Sequence, residues 1–162
     1  MPKYFAYGSN LNQEDLDKWC KNKGYRPIKF SSWKRAKLKD YALVFNVYSN
    51  SRKCGVANIE RKKGEVVEGV LFVITKEDLD KLDEKEGAKG NKRKYEHHII
   101  SVETEEGKEV KNVITYWVPK EKTTQDFIKP SKEYLNIIIK GAKRYELSKE
   151  WIDKLKQIPT KD

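Results

Sequence analysis

With 162 residues, 37% of them apolar and 37% charged, and a net charge of +10, the chain can bury one core and is too short for two comfortable domains. Aromatic residues make up 11% and recur along nearly the whole length, which excludes the disordered class, and no apolar run approaches the roughly 20 residues that cross a bilayer. Cys20 and Cys54 belong to no CxxC unit, and His97 and His98 are neighbours that would point to opposite faces of a strand, so neither a disulfide framework nor a zinc or other metal site is expected.

Residues 3–7 (KYFAY) read as a short buried strand that breaks at Gly8. A helix over 12–21 follows, with Asn12 as N-cap and Asp15 three residues on, and Gly24 and Pro27 close it. From Lys29 to Val118 the period changes to two, and segments at 29–34, 36–48, 54–60, 65–74, 94–103 and 109–118 are rich in Val, Ile, Phe, Tyr and Trp. Turn signals at Lys39-Asp40, Asn50-Ser51, Lys63-Gly64 and Glu106-Gly107 punctuate them. One helix interrupts this region, from the N-cap Thr75 to the stop at Gly87, and two more close the chain behind Ser131 and Ser148. The pattern predicts an α+β protein: a small, mostly antiparallel sheet curling towards a β-barrel, with flanking helices. One domain over 1–158 is expected, with a disordered tail at 159–162 after Pro159 ends the last helix.

The N-terminus leads directly into the first strand without signal-peptide architecture, so a cytoplasmic location is expected. Lysine far outnumbers arginine and is scattered among acids, whereas nucleic-acid readers cluster their charge and favour arginine. A solvated Lys/Glu surface is therefore favoured over a nucleic-acid face, and the net charge attracts anionic small molecules at long range.

Two places carry candidate chemistry. Tyr7-Gly8-Ser9-Asn10-Leu11 joins the first strand to the first helix, and amides of such a turn near a helix start suit a carboxylate or a developing oxyanion. Ordinary turn chemistry explains the same residues. A Ser9 nucleophile has little support, because the flanking pattern is not G-x-S-x-G and the histidines lie together in a β segment. The second place is the helix Lys76–Glu86. Glu86 falls seven residues after Leu79 and four after Leu82, on the inward stripe. Burial and the negative end of the helix dipole would both raise its pKa towards that of a general base, while a frayed last turn would leave it in water.

Four stretches carry a resemblance: YFAYGSNL at 4–11, CGVANIERKKGEVVEGVLFVI at 54–74, LDKLDEKEG at 79–87 and PSKEYLNIIIKGAK at 130–143. In this order they resemble the γ-glutamylcyclotransferase family, over one complete domain. The resemblance implies a small closed or nearly closed barrel and a cofactor-independent enzyme of lyase or acyltransferase type. Such an enzyme releases 5-oxoproline from a small γ-glutamyl compound. It casts Glu86 as catalytic base, Tyr7, Gly8, Ser9, Asn10 and Leu11 as the loop holding the γ-glutamyl group, and Tyr95 and Tyr134 as pocket tyrosines. The basic stretch at 88–94 departs from the family's pattern and leaves room for an anionic partner. Within the class, a γ-glutamylamine or a larger γ-glutamyl carrier is an alternative substrate. From another class, the chain would be a non-catalytic binding module using its basic surface. A homodimer is compatible with either reading, and no membrane partner is expected.

Overall fold

The computed structural model describes residues 1–88 and 95–162, so the basic stretch expected at 88–94 lies, from residue 89 onward, outside the described residues. Alternating apolar positions fold into β1 (Lys3–Ala6), β2 (Phe30–Ser49), β3 (Cys54–Ile74), β4 (Glu96–Thr104) and β5 (Glu109–Trp117). They close into a barrel in the order β1-β3-β2-β4-β5. Neighbours run antiparallel, except that β1 closes the ring on β5 in parallel through Lys3↔Val113 and Tyr4↔Ile114. Phe5, Ile59, Val67, Val70 and Phe72 are almost completely buried, and the Phe30 and Phe72 rings stack at 3.8 Å. The expected α+β barrel is therefore present.

Its strands are longer than the sequence pattern suggests. Segments 29–34 and 36–48 are both within β2, and 54–60 and 65–74 are both within β3. The turn signals at Lys39-Asp40 and Lys63-Gly64 do not end strands. The ladder passes from Lys39↔Val66 to Tyr41↔Arg61, and Asp40, at φ 65°, accepts a hydrogen bond on Oδ1 from the Gly64 amide at 3.0 Å. The two signals face each other across the hairpin and bend it as an irregular bulge.

Four helices flank the barrel: α1 (Gln13–Lys23), α2 (Lys76–Lys85), α3 (Lys132–Arg144) and α4 (Lys149–Lys156). Each opens on the polar residue expected as its cap. Asn12, Thr75, Ser131 and Ser148 accept hydrogen bonds from the amides of Asp15, Asp78, Tyr134 and Trp151. Residues 159–162 are not the free tail expected. The Lys161 amide donates to Pro130 O at 3.0 Å, and the Asp162 carboxylate accepts from the Lys132 amide at 2.8 Å. The Asp162 side chain thereby caps an unsatisfied amide at the start of α3, a contact that only the fold brings about.

Two close approaches set the active end of the barrel. A Cβ on Gly141 of α3 would lie 2.5 Å from Leu11 Cβ and 2.7 Å from its carbonyl carbon, so α3 rests directly on the turn after β1. A Cβ on Gly69 of β3 would lie 2.3 Å from Ala6 O, so β1 lies tightly against β3.

Candidate active site

Glu86 follows α2 as its C-cap, at φ −81° and ψ −3°, and its amide still donates to Leu82 O at 2.9 Å. Leu79 and Leu82 are buried at 6% and 0% exposure, and the helical spacing carries Glu86 inward with them to a half-buried position. Gly87, at φ 69°, then turns the chain away.

Opposite it, Ser9–Leu11 form a single 3-10 turn. The amides of Leu11 and Asn12 are used inside it, donating to Gly8 O at 3.1 Å and Ser9 O at 2.9 Å. The amides of Gly8, Ser9 and Asn10 precede the first bond of the turn and have no partner within it. Leu11, expected in the binding loop, has its amide committed and its side chain 1% exposed against Gly141. It anchors the turn and does not line the cavity.

Asn10 joins the two elements. Its buried side-chain amide donates to Glu86 Oε1 at 2.5 Å and to the Tyr4 hydroxyl at 2.9 Å, and its carbonyl oxygen accepts from Lys85 Nζ at 2.8 Å. The Lys85 side chain is only 8% exposed, and it also lies 3.8 Å from Asp15 Oδ2. A chain of alternating donors and acceptors therefore runs from ammonium to amide to carboxylate, and it fixes the direction in which Glu86 points.

Tyr4, Tyr7, Gly8, Ser9, Asn10, Ala57, Glu86, Tyr95, Tyr116 and Tyr134 line a small, partly open cavity of about 30 Å³. Glu86 and the Gly8–Asn10 turn thus share one cavity, as do Tyr7, Tyr95 and Tyr134. The hydroxyls are tied to backbone: Tyr7 donates to Tyr116 O at 2.6 Å, Tyr95 donates to Ala57 O at 2.6 Å, and Tyr134 accepts from the Ala57 amide at 3.0 Å. Tyr116 donates to Asp83, three residues before Glu86 on α2, in a very short hydrogen bond. Burial, with the charge of Glu86 in support, holds Tyr4 and Tyr7 well above the ordinary phenol range. Burial and then neighbouring tyrosines do the same for Tyr95, and burial and then Asp83 for Tyr116. Burial also raises Tyr134, although the Ala57 amide and Arg52 oppose it. All five stay neutral near pH 7 and act as fixed dipoles and apolar walls.

Sequence reasoning missed Tyr4, Tyr116, Asp83, Lys85 and the Ala57 backbone. A tyrosine in the middle of a strand does signal a buried hydroxyl that needs a partner, which would have flagged Tyr4 and Tyr116. Nothing local could have flagged Lys85, whose acceptor lies 75 residues away in sequence.

The AIG2-like family model matches residues 66–155, which span α2, Glu86, Tyr95 and α3. The human γ-glutamylcyclotransferase is 33% identical over 163 residues, covering 98% of this chain and 79% of the human protein. The chain belongs to the γ-glutamylcyclotransferase family. A solved γ-glutamyl cyclotransferase superposes with a TM-score of 0.80 at 32% identity, covering 99% of this chain and 89% of the other. YkqA from Bacillus subtilis superposes with a TM-score of 0.80 at 28% identity, covering 98% of this chain and 55% of the longer protein. The chain is accordingly a γ-glutamylcyclotransferase-type enzyme. Among the described residues, no helix is long and apolar enough to cross a membrane.

Proposed function

We propose that Glu86 is the catalytic base of an intramolecular aminolysis that turns a γ-glutamyl compound into 5-oxoproline and a free amine or amino acid. The observation that supports this reading is the shared cavity, with Glu86 on one wall and the amides opening the 9–11 turn on another. The substrate's α-amino group is mostly ammonium at neutral pH and must lose a proton before it attacks. Asn10 occupies Oε1 of Glu86, and among the described residues Oε2 carries no hydrogen bond, so that oxygen takes the proton. The freed amine attacks the γ-carbonyl carbon, a five-membered lactam begins to close, and negative charge grows on the carbonyl oxygen. The amides of Gly8, Ser9 and Asn10 are the donors for that oxygen or for the α-carboxylate. Collapse of the tetrahedral centre breaks the bond to the leaving nitrogen, which takes the proton held by Glu86 and the second proton that the attacking nitrogen sheds as it becomes the lactam N–H, and so departs as an ammonium.

Nucleophile and electrophile belong to one molecule, so the cavity contributes mainly by holding the glutamyl chain folded for cyclisation. Tyr7, Tyr95 and Tyr134 shape that space, with hydroxyls held by the backbone and unable to swing out. A small γ-glutamyl substrate and a cytoplasmic setting fit this reading, and neither nucleic acid nor a partner subunit has a part in it.

The Glu86→Gln variant keeps the size of the side chain and removes the base. Release of 5-oxoproline from a γ-glutamyl dipeptide should drop at least ~10²-fold, as loss of a general base typically does, with an unchanged melting curve. A folded variant that cyclises as fast as the parent removes Glu86 from the role. Comparing γ-glutamyl-alanine, a γ-glutamyl-lysine isomer and glutathione ranks the leaving groups. Binding of nucleic acid with a steep salt dependence and no turnover on any of these would instead favour a non-catalytic binding module.

A further inference from the structure

The cavity opens into a groove that shares Ser9, Glu86, Tyr95 and Tyr134 with it. With the glutamyl part folded inside the tyrosine walls, whatever is attached to its γ-carbonyl must extend into that groove. Arg52, at the tip of the β2–β3 hairpin, stands at this exit. Its guanidinium lies 5.0 Å from the centroid of the Tyr134 ring, the same ring that walls the cavity. Its Nη2 donates to Asp15 Oδ2 at 2.8 Å, and its side chain is 28% exposed. The Tyr134 face and Asp15 hold the fork in one orientation, and among the described residues Nε and Nη1 carry no hydrogen bond.

Acidic and basic side chains balance along the groove, so any preference for an anion lies in the open donors of Arg52. Lys18, Lys140, Glu14 and Glu133 all line the outer groove, two charges of each sign. Closer to the cavity, the single carboxylate of Asp15 serves two cations, Arg52 at 2.8 Å and Lys85 at 3.8 Å, and with Glu86 counted the four charges balance, so Arg52 offers an anion its open donors and not a net positive field. Burial works against the charge on Arg52, but the hydrogen bond and charge of Asp15 outweigh it, so the guanidinium stays cationic.

We infer that Arg52 is a specificity-determining residue that binds the carboxylate of the departing group, so that the enzyme prefers γ-glutamyl amino acids and peptides to γ-glutamyl amines. The inference rests on the proposed role of the Glu86 cavity and names the leaving-group class that this cavity serves. A neutral amine leaving group finds no partner for the fork. A leaving amino acid places its carboxylate two bonds from the scissile nitrogen, where the guanidinium can donate to it through Nε or Nη1.

The test compares γ-glutamyl-alanine with γ-glutamyl-ethylamide, which differ by that carboxylate alone. The parent enzyme should favour γ-glutamyl-alanine at least ~10-fold in kcat/KM, at the lower end of what a charge-assisted hydrogen bond confers. Arg52→Met should remove at least ~10-fold from γ-glutamyl-alanine while changing the ethylamide less than about threefold, and Arg52→Lys should fall between, since it keeps charge and loses the fork. Equal kcat/KM on the two substrates in the parent, or parallel losses on both in Arg52→Met, overturns the inference while leaving the role of Glu86 standing. Absence of 5-oxoproline from both substrates in the parent defeats both.

Discussion

The Glu86 carboxylate has one hydrogen-bond partner among the described residues, and that partner is itself held from two sides. Asn10 donates to the carboxylate at 2.5 Å, donates to Tyr4 at 2.9 Å and accepts from Lys85 at 2.8 Å. Its side chain is thus a strut, whereas the sequence motif placed it in the loop that holds substrate. Asn10→Ala should therefore lower kcat at least ~10-fold with a smaller change in KM, because a base that wanders by an ångström loses its alignment. Steady-state kinetics on a γ-glutamyl dipeptide separate the two, and a loss confined to KM would return Asn10 to a pure binding role. The inward aim of Glu86 was legible because Leu79 and Leu82 mark the buried stripe. The strut was not, since its partner lies 76 residues away and no local pattern encodes a pair at that distance.

At the level of elements, the caps were the most readable feature. Asn12, Thr75, Ser131 and Ser148 compete for backbone amides wherever they stand, so their effect is local and survives folding. Strand ends were less readable. Asp40 and Gly64 carry turn chemistry, yet each satisfies the other across the hairpin, and β2 and β3 run on through the bend. The seat of α3 on the 9–11 turn is a contact between elements that are distant in sequence, and it admits no side chain at Gly141. Gly141→Ala forces apart Leu11 and α3 and should cost about 1–3 kcal/mol, as overpacking of a filled site does. Urea unfolding with an unchanged m-value measures this. Because the displaced turn carries Asn10 and the three open amides, turnover should fall in the same variant. Full stability in Gly141→Ala would show that the turn gives way freely and is not fixed by α3.

Over the whole molecule, the same closure that completes the barrel assembles the site. Tyr4 and Tyr7 arrive on and just after β1, Ala57 on β3, Tyr116 on β5, Tyr95 ahead of β4, and Tyr134 on α3. β1 holds the ring shut through four pairs to β3 and two to β5, so its fit against β3 bears on the fold and the cavity alike. A methyl on Gly69 would meet Ala6 O at 2.3 Å and the Phe5 ring at 2.7 Å. Gly69→Ala should lose about 2 kcal/mol or more of stability, and hydrogen exchange should speed up at the amides of Tyr4–Ala6 first. Uniform exchange across the barrel would instead mean that closure is not limited by β1.

Period, caps and composition pointed to a sheet curling towards a barrel with four helices and set Glu86 on the apolar stripe at the end of α2, because each of these features arises from residues within a few positions of one another. Distance along the chain hid the rest. The Asn10 strut, the Lys85 ammonium behind it, the tie between Asp162 and α3, and the Arg52 fork above Tyr134 all join segments that meet once the ring closes. Their partners are chosen by packing, and packing belongs to the folded chain as a unit.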